Sequence, residues 1–332
     1  MTTYPVDRYT QEDWPGVCEL LGDWAFKPLA GHSAWPAEKL TALCVARAAE
    51  TLDYALNYAW LLRSPNGVSA LTSLTQLPWD SRHLGASAAR LDYLLATGSY
   101  REQYQVKQVL LAAALRHAVK RKVQHIGVRV DASDLSSLHV LENAGFITVD
   151  AILTFVLHLG GESTLNGESL AKPNGIRLRL AKGVDSELAA QLARQAYVYD
   201  RFHADPSISS QRADDLHAEW LRNSCDGTAA DAVVLAEDRS GLLGFVTCKL
   251  QPDTKVHMGK LIGTIVLVAT ADRARGKGIG RAATLASLDW FRNQQTDIVE
   301  VGTQLRNIPA TRLYQSCGFQ LAGSSVSLRK RY

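Results

Sequence analysis

The sequence predicts an α/β fold with a mixed sheet, and it predicts this fold twice in one chain. Three observations lead to this expectation. In the second half, apolar strand-like runs alternate with amphipathic helical runs. Two consecutive strand runs there are joined by a three-residue turn, which indicates an antiparallel hairpin ahead of a βαβ unit. The first half repeats part of the same pattern without gaps.

Length and composition are those of a globular protein with about two domains. The chain has 332 residues, of which 46% are hydrophobic and 21% are charged, and a domain usually has ~100–200 residues. The net charge of +3 is too small to indicate nucleic-acid binding. The five cysteines form no CxxC pair, which argues against a zinc site and predicts a reducing compartment. Without a secretory signal or a membrane-length apolar run, the expected location is the cytoplasm.

The elements of the second half follow in the order β-α-α-β-β-β-loop-α-β-α-β. Strands are predicted at 176–180, 231–238, 242–250, 261–270, 298–303 and 319–330. Helices are predicted at 184–198, 211–224, 281–295 and 309–317. Residues 251–260 are expected to form a loop. Pro309 suits the first turn of the last helix, and Gly318 suits its end.

The first half is predicted to be a degenerate copy of the second. The segment NIPATRLYQSCGF (307–319) aligns with DLSSLHVLENAGF (134–146), and two preceding segments align at the same offset. The three glycines of the later loop then face Gln103, Gln105 and Lys107. Tyr314 faces Leu141 in the same alignment.

These patterns predict four regions along the chain. Residues 1–70 are expected to be a mostly helical N-terminal extension, with a helix across 37–64. Residues 71–159 would form the degenerate copy, and residues 176–332 the complete copy. Residues 160–175, which are rich in Gly, Ser and Asn, would form the linker.

The segment RARGKGIGRAA (273–283) is typical of a phosphate-binding loop. Glycines allow a phosphate to approach the backbone closely, and N–H groups at a helix N-terminus can surround it. A P-loop is excluded, because Gly278 follows Lys277 where a Ser or Thr is required. The letters of this loop also fit a dinucleotide-binding fingerprint, but their context does not. The preceding strand ends near Thr270, several residues before the glycines, and too little chain follows Glu300 to complete a doubly wound sheet.

A third pattern, [RQ]xxGx[GA], is met by Arg275, Gly278 and Gly280. Together with the strand before it and NIPATRLYQSCGF after it, this loop resembles the GNAT superfamily of acyl-CoA N-acyltransferases. The resemblance covers residues 176–332 and implies a tandem GNAT fold with a degenerate N-terminal copy. It also implies acetyl-CoA as co-substrate, without a metal. The residues that it implies bind the coenzyme are Val268, Ala269, Thr270, Arg275, Gly276, Lys277, Gly278, Ile279, Gly280, Arg281 and Asn307.

The resemblance implies that a primary amine attacks the thioester directly and that Tyr314 is the general acid for the leaving thiolate. A tyrosine hydroxyl has a pKa of about 10, which allows proton exchange with a thiol. A water chain can accept the proton of the amine, and the candidate side-chain bases are His203, Glu237 and Glu300. Cys317 is expected to pack in the core.

Two further residues have two expected roles each. Asn307 would contact the pantetheine arm or cap the short helix that follows it. Arg312 would reach the phosphate side of the coenzyme or remain solvated.

The acceptor is predicted from three segments that look like those of the dTDP-fucosamine acetyltransferase group: DRFHADP (200–206), LIGTIVLVATADRARGKGIG (261–280) and LPWDSRHLGASAARLD (77–92). This implies the 4-amino group of a dTDP-linked amino-deoxy sugar as acceptor. Arg201 and His203 would contact this substrate or brace their own loop. Trp79, Asp80 and Arg82 would fix the domain junction or the acceptor.

The alternatives are another amine (mycothiol-synthase-like, antibiotic or peptide) and a non-catalytic acyl-CoA-binding protein. The expected partners are a small-molecule amine, with a dTDP-amino sugar as one option, and a second copy of the chain in a homodimer. Neither nucleic acid nor a membrane is expected as a partner.

Overall fold

The computed structural model describes residues 5–65, 67–160 and 173–332. The chain divides into two compact units, Met1–Ala151 with Ser324–Tyr332 and Ile152–Gly323. Most of the linker expected at 160–175 lies outside the described residues. Within the described ranges, no helix has the length and apolarity needed to cross a membrane.

The first unit is a mixed sheet with helices packed on it. Its strands are β1 (Asp7–Arg8), β2 (Asn57–Ser64), β3 (Gly67–Gln76), β4 (Ala88–Ala96) and β5 (His125–Asp131), and β6 (Ile147–His158) begins in it. Its helices are α1 (Trp14–Asp23), α2 (Ala37–Asp53), α3 (Pro78–Leu84), α4 (Tyr100–Lys120) and α5 (Leu135–Asn143). The pairs β1/β2, β2/β3 and β3/β4 are antiparallel, whereas β4 and β5 are parallel. Leu110 and Leu111 of α4 pack against Ile126 of β5 in its core.

The second unit has the same kind of sheet. Its strands are β7 (Arg177–Leu180), β8 (Ala232–Asp238), β9 (Gly241–Gln251), β10 (Ile262–Thr270) and β11 (Ile298–Gln304), and β12 (Gln320–Arg331) begins in it. Its helices are α6 (Ser186–Ala196), α7 (Arg201–Ala204), α8 (Ser210–Cys225), α9 (Pro252–Met258), α10 (Ile279–Asn293) and α11 (Ile308–Ser316). Here β10 and β11 are the parallel pair, and the predicted hairpin of β8 and β9 is antiparallel. Leu285, Leu288 and Phe291 of α10 pack into its core.

The two copies contain corresponding elements in the same order. The series β1-α1-α2-β2-β3-α3-β4-α4-β5-α5-β6 corresponds to β7-α6-α8-β8-β9-α9-β10-α10-β11-α11-β12, with the short α7 as an addition. The likeness extends to helix ends, because α3 and α9 each begin with a proline and stop at a left-handed glycine, Gly85 and Gly259. The mixed α/β fold built twice is therefore confirmed.

Residues 1–70 differ from the expected helical extension. They supply β1, α1, α2 and β2, which are the opening elements of the first copy. The helix predicted across 37–64 ends at Asp53, and the prediction is wrong beyond that residue. Asn57–Ser64 instead pairs residue by residue with β3, because a short apolar run such as YAWLL buries equally well in a strand. The boundary expected after residue 70 lies inside β3.

The loop expected at 251–260 is also wrong, because Pro252–Met258 is a helix. Pro252 occupies the first helical turn, where its missing N–H costs nothing. Gly259 ends the helix with a φ of +75°. A single helix of seven residues is too short to produce a clear helical period in the sequence.

The last strand of each copy ends in the unit of the other copy. Ile152–His158 of β6 pair antiparallel with the whole of β11. Ser325–Arg331 of β12 pair antiparallel with the whole of β5. Phe155 is 1% exposed in the core of the second unit, and Leu328 is 1% exposed in the core of the first. Each unit is therefore completed by a strand from the other copy of the repeat.

We expect the second copy to fold poorly as an isolated fragment. A fragment of residues 173–332 lacks β6, so β11 loses its antiparallel neighbour and the core loses Phe155. Losing a buried aromatic side chain alone costs about 3–5 kcal/mol. Thermal unfolding followed by circular dichroism should show no cooperative transition for this fragment, whereas a fragment of 147–332 should show one. Equal melting temperatures for the two fragments would contradict this role of β6.

Candidate active site

Strands β10 and β11 are paired only along their first halves. Parallel pairing runs from Ile262 with Ile298 to Ile265 with Val301. Within the described residues, no pairing continues beyond this point, although both strands do. The two strands therefore separate and leave a cleft between them.

Strand β10 stays paired with β9 along its other edge. The register shifts between Ile265 and Val268, and the N–H of Ala271 donates to the C=O of Leu243. Bonded and non-bonded pairs alternate along an antiparallel ladder. The N–H and C=O of Val268 therefore point away from β9 and toward the cleft. The backbone of Thr270 points the same way by this alternation. Of the coenzyme-binding residues predicted on β10, Val268 and Thr270 therefore direct their backbone N–H and C=O groups into the cleft.

The glycine loop follows β10 and leads into α10. Gly276 and Gly278 have φ angles of +73° and +77°, which glycine adopts without the steric cost of a Cβ atom. Gly278 is the N-cap residue and offers no side chain to the helix start. The first N–H groups of α10 therefore remain available to a ligand. Since the N-terminal end of a helix carries partial positive charge, the loop can bind an anion.

The basic residues predicted in this loop are exposed or partly exposed. Lys277 is exposed. Arg275 makes an ion pair with Asp272 at 2.8 Å, and Arg281 lies 3.4 Å from the C=O of Ser316. Ile279 differs from these, because its side chain is buried in the core and only its backbone can contact a ligand.

Tyr314 lies on α11 and is 4% exposed. Its ring packs against Phe155 and Phe319, with centroid distances of 6.3 and 5.9 Å. Burial raises the pKa of Tyr314 well above its ordinary value. The hydroxyl therefore remains a proton donor at neutral pH.

Two neighbours of Tyr314 have structural roles. The Oδ1 atom of Asn307 accepts the N–H of Ala310 at 3.2 Å, so Asn307 caps α11, which is one of its two expected roles. Cys317 is completely buried in the core, which confirms that expectation. Burial raises the pKa of its thiol to about 11, which does not suit a nucleophile. Arg312 is exposed.

Tyr197, at the end of α6, is a candidate that the sequence analysis missed. Its ring is stacked on His217, with centroids 4.3 Å apart and planes at 15°. Its hydroxyl oxygen is buried and has no partner in hydrogen-bonding geometry among the described residues. Burial raises the pKa of Tyr197 well above its ordinary value, with contributions from Tyr314 and Asp200, and the backbone of Val268 opposes the rise.

The hydroxyl of Tyr197 therefore lies close to the free edge of β10 and to the predicted acid. No sequence signal marked this residue. The tyrosine stands just past an amphipathic helix, where side chains of many types occur.

His203, on the short helix α7, is held between two carboxylates. Its Nδ1 lies 2.5 Å from Asp200 and its Nε2 lies 3.0 Å from Asp214. The hydrogen bond to Asp200 is the largest cause that raises the pKa of His203. Carboxylates beside both ring nitrogens favour the protonated imidazole, and neither nitrogen is open to an amine. Arg201 is exposed, and its guanidinium lies 4.7 Å from the ring centroid of Phe202.

The ligand atoms of Asp200, His203 and His217 lie within 4.8 Å of one another. This spacing is compatible with a metal ion. The hydrogen bonds of His203 to its two carboxylates account for the same cluster without one. His217 directs Nδ1 to the C=O of Ala213 at 2.8 Å, and burial lowers its pKa.

The remaining base candidates have strong partners of their own. Glu237 pairs with Arg179 at 2.8 Å, and this guanidinium lowers the pKa of Glu237. Glu300 accepts hydrogen bonds from Thr264 at 2.9 Å and Gln251 at 2.6 Å. A route through water therefore fits the deprotonation of an amine better than either carboxylate.

Two of the residues predicted from the first half, Trp79 and Asp80, line a pocket of about 380 Å³ in the first unit. Arg82, on the same helix, is exposed.

In the first copy, protein side chains occupy the space that corresponds to the cleft. Strands β4 and β5 also pair only from Ala88 to Leu91. The N–H of Thr97 donates to the C=O of Ser69. By the alternation of bonded and non-bonded pairs, the backbone groups of Leu94 then face the gap, as those of Val268 do. The C=O of Leu94 accepts the hydroxyl of Ser137 at 3.3 Å. The strand edge that is free in the second copy is therefore bound in the first.

Lys107 fills the rest of this space in the first copy. It faces Gly280 in the repeat, and it is 2% exposed. Its Nζ contacts Asp134 at 3.0 Å, Ser136 at 2.8 Å and Ser137 at 2.9 Å. Asp134 caps α5 as Asn307 caps α11.

The glycine loop is absent from the corresponding part of the first copy. Gln103, Gln105 and Lys107 all lie within α4, which begins at Tyr100. Ser99 and Glu102 form a capping box at its start. The N–H groups of Ser99 and Glu102 therefore have side-chain partners within the chain, and the glycine loop of the second copy has no counterpart here.

Replacing Lys107 with methionine should lower the free energy of unfolding by about 3–5 kcal/mol, because Asp134 is left as an unpaired buried charge. Adding Asp134→Asn should recover most of this loss, since asparagine keeps the helix cap as Asn307 does. Urea unfolding measures both effects. Lys120→Met, at an exposed position of α4, is the control. A loss for Lys107→Met no larger than for this control would show that the pair is not a buried ionic contact.

Residues 195–319 match the Acetyltransferase (GNAT) family. The spore coat polysaccharide biosynthesis protein SpsD of Bacillus subtilis is 26% identical over 194 residues, which cover 58% of this chain and 62% of that protein. The mycothiol acetyltransferase of Renibacterium salmoninarum is 28% identical over 239 residues, which cover 71% of this chain and 66% of that protein. The chain thus spans just under two thirds of the length of both relatives.

The fold has matches among solved structures. A tandem GNAT protein from the clavulanic acid biosynthesis pathway superposes with a TM-score of 0.59 at 16% identity, covering 99% of this chain and 98% of that chain. At this identity the match concerns the fold, and it includes the duplicated arrangement. The family match over residues 195–319 lies in the second copy, and the chain as a whole has the tandem GNAT fold.

Proposed function

We propose that this chain transfers the acetyl group of acetyl-CoA to a primary amine and that its second copy performs the reaction. The main support is the contrast between the copies. In the second copy a free strand edge, an uncapped glycine loop and Tyr314 occur together, whereas Lys107 and Ser137 fill the same space in the first. The five cysteines are free thiols, which fits a reducing compartment such as the cytoplasm.

The coenzyme would lie along the open edge of β10. An extended pantetheine arm that runs along Val268, Ala269 and Thr270 can bond to the backbone of Val268 and Thr270 as an added strand does. Its pyrophosphate would meet the N–H groups of residues 275–281 at the start of α10. Lys277 and the flanking arginines would add positive charge.

The reaction would proceed by direct attack. The lone pair of the amine forms a bond to the acetyl carbonyl carbon, and the carbonyl oxygen takes up the negative charge near the N–H of Val268. Collapse of this intermediate breaks the C–S bond. The departing thiolate takes the proton of Tyr314. The surplus proton of the amine leaves through water, which also restores the proton of Tyr314.

The acceptor we favour is the 4-amino group of a dTDP-linked amino-deoxy sugar. The DRFHADP segment supports this choice, because its Arg201 is exposed and a guanidinium suits a phosphate. The polysaccharide function named for SpsD is compatible with a sugar acceptor. A second candidate is an amine precursor of mycothiol, which the longer alignment with a mycothiol acetyltransferase favours. An antibiotic or peptide amine and a non-catalytic acyl-CoA-binding role are the further alternatives.

Release of free thiol from acetyl-CoA tests the proposed function. A panel of dTDP-amino sugars, a mycothiol precursor, aminoglycosides and peptides would be offered as acceptors, and one class should give turnover. Tyr314→Phe should lower kcat by about 10²–10⁴-fold, with the KM for acetyl-CoA within about twofold, because the ring packing is kept. Unchanged kcat in this variant would rule out Tyr314 as the acid. Binding of acetyl-CoA without turnover of any amine would support the non-catalytic alternative.

The loop assignment has its own test. Gly278→Glu should weaken acetyl-CoA binding by about 100-fold, or about 2.7 kcal/mol, since it adds a negative charge and occupies a φ of +77°. Gln105→Glu, at an exposed position of α4 in the first copy, is the control and should leave the Kd unchanged. Isothermal titration calorimetry measures both. Equal weakening in the two variants would contradict binding by the second copy alone.

A further inference from the structure

The hydroxyl of Tyr197 has no role in the reaction described so far, yet it lies beside the groups that would carry it out. We propose that Tyr197 donates a hydrogen bond to the carbonyl oxygen of the bound acetyl thioester, as a second oxyanion donor beside the N–H of Val268. This inference rests on the proposed acetyl transfer and adds a catalytic residue to it.

The environment of the hydroxyl points to a missing acceptor. Its oxygen is buried and has no partner in hydrogen-bonding geometry among the described residues. Buried hydroxyls in folded proteins normally have a partner, and an exception calls for an explanation. The N–H of Val268, which faces the cleft, is directed at the same oxygen but outside hydrogen-bonding geometry. The hydroxyl proton of Tyr197 therefore has no acceptor, and a carbonyl oxygen in the cleft beside the two groups could accept from both.

The proton needed for donation is present at neutral pH. Burial raises the pKa of Tyr197, and an ionised Tyr314 or Asp200 would raise it further. Tyr197 and Tyr314 are therefore both neutral, and they can divide the work. Tyr314 would give its proton to sulfur, whereas Tyr197 would keep its proton and only donate a hydrogen bond.

Surrounding contacts hold the Tyr197 ring in place. One face is stacked on His217, whose own ring is fixed by the C=O of Ala213. Two residues further on, the C=O of Tyr199 accepts hydrogen bonds from the guanidinium of Arg306 at 2.9 and 3.3 Å. Donors that are fixed before the reaction stabilise developing charge most effectively, because they need not reorganise.

The first copy provides an internal comparison. Helix α1 corresponds to α6, and its C-cap residue is Trp24 where that of α6 is Tyr197. Both residues have extended backbone angles there. The copy in which Lys107 fills the cleft thus has an indole without a hydroxyl at this position. The hydroxyl occurs in the copy that has the other coenzyme features.

The step balances without any further reactant. Attack of the amine moves the π electrons of the carbonyl onto oxygen, where the O–H of Tyr197 and the N–H of Val268 would stabilise them. Collapse returns these electrons, breaks the C–S bond and sends the electron pair to sulfur. Sulfur then takes the proton of Tyr314.

Tyr197→Phe tests the inference, because it removes only the hydroxyl and keeps the ring on His217. The direct readout is the infrared stretch of acetyl-CoA labelled with ¹³C at the acetyl carbonyl and bound to the full chain. Loss of a hydrogen bond should move this stretch to higher wavenumber than in the wild type. Tyr199→Phe, which alters an exposed tyrosine, is the matched control and should leave the stretch unchanged. With an accepted amine, kcat for Tyr197→Phe should fall by about 10²-fold, with the KM for acetyl-CoA within about twofold.

The outcomes are distinguishable. An unchanged carbonyl stretch with acetyl-CoA bound to both proteins would overturn the role of Tyr197 and leave the proposed function standing. A clear loss of thermal stability in Tyr197→Phe would also overturn it, because an unpartnered hydroxyl should contribute no stability. Failure of the wild type to bind acetyl-CoA would remove the proposed function and this inference together.

Discussion

The site depends on how β10 is held. Antiparallel pairing with β9 holds this strand both before and after its register shift, whereas parallel pairing with β11 stops at Ile265. The register shift before Val268 then turns a backbone N–H and C=O into the gap. Because a sheet normally consumes these groups on both sides, a strand that keeps one neighbour and leaves the other is a ready site for an extended ligand. The glycine loop follows directly where this strand ends.

The two copies show two outcomes of the same strand separation. The backbone groups in the gap need partners, and the chain can supply them itself or leave them to a ligand. In the first copy Ser137 binds the free edge, and the ammonium of Lys107 bridges the start of α5. In the second copy the corresponding residues are Ala310 and Gly280, which offer no side chain that could do this. A few substitutions thus decide which copy can receive a coenzyme, while the backbone stays nearly the same.

The side of the cleft next to α7 and α8 is organised by charge and stacking. Asp200 and Asp214 hold the ring of His203 between them, and His217 beside them supports the ring of Tyr197. This arrangement places a neutral aromatic hydroxyl at the strand edge. A fixed donor of this kind suits a reaction in which a carbonyl oxygen becomes negative.

The sequence by itself determined the alternation of strands and helices in the second copy, the glycine loop and the cap at Asn307. Each of these depends on neighbouring residues only: hydrophobic period, backbone freedom and a side chain next to a helix start. The same local rules failed at Asn57–Ser64 and Pro252–Met258, because short apolar or polar segments fit either a strand or a helix until their partners are known.

Tertiary structure alone decided which residues meet across long separations in the chain. β6 pairs with β11, and β12 pairs with β5, although the repeat in the sequence suggests that the last strand of each copy pairs within that copy. A lysine within a helix is normally exposed, and Lys107 can be buried only because Asp134 lies close enough to pair with its charge. Tyr197 became a candidate because its hydroxyl meets the free edge of β10 without a partner, and no local pattern records such an encounter.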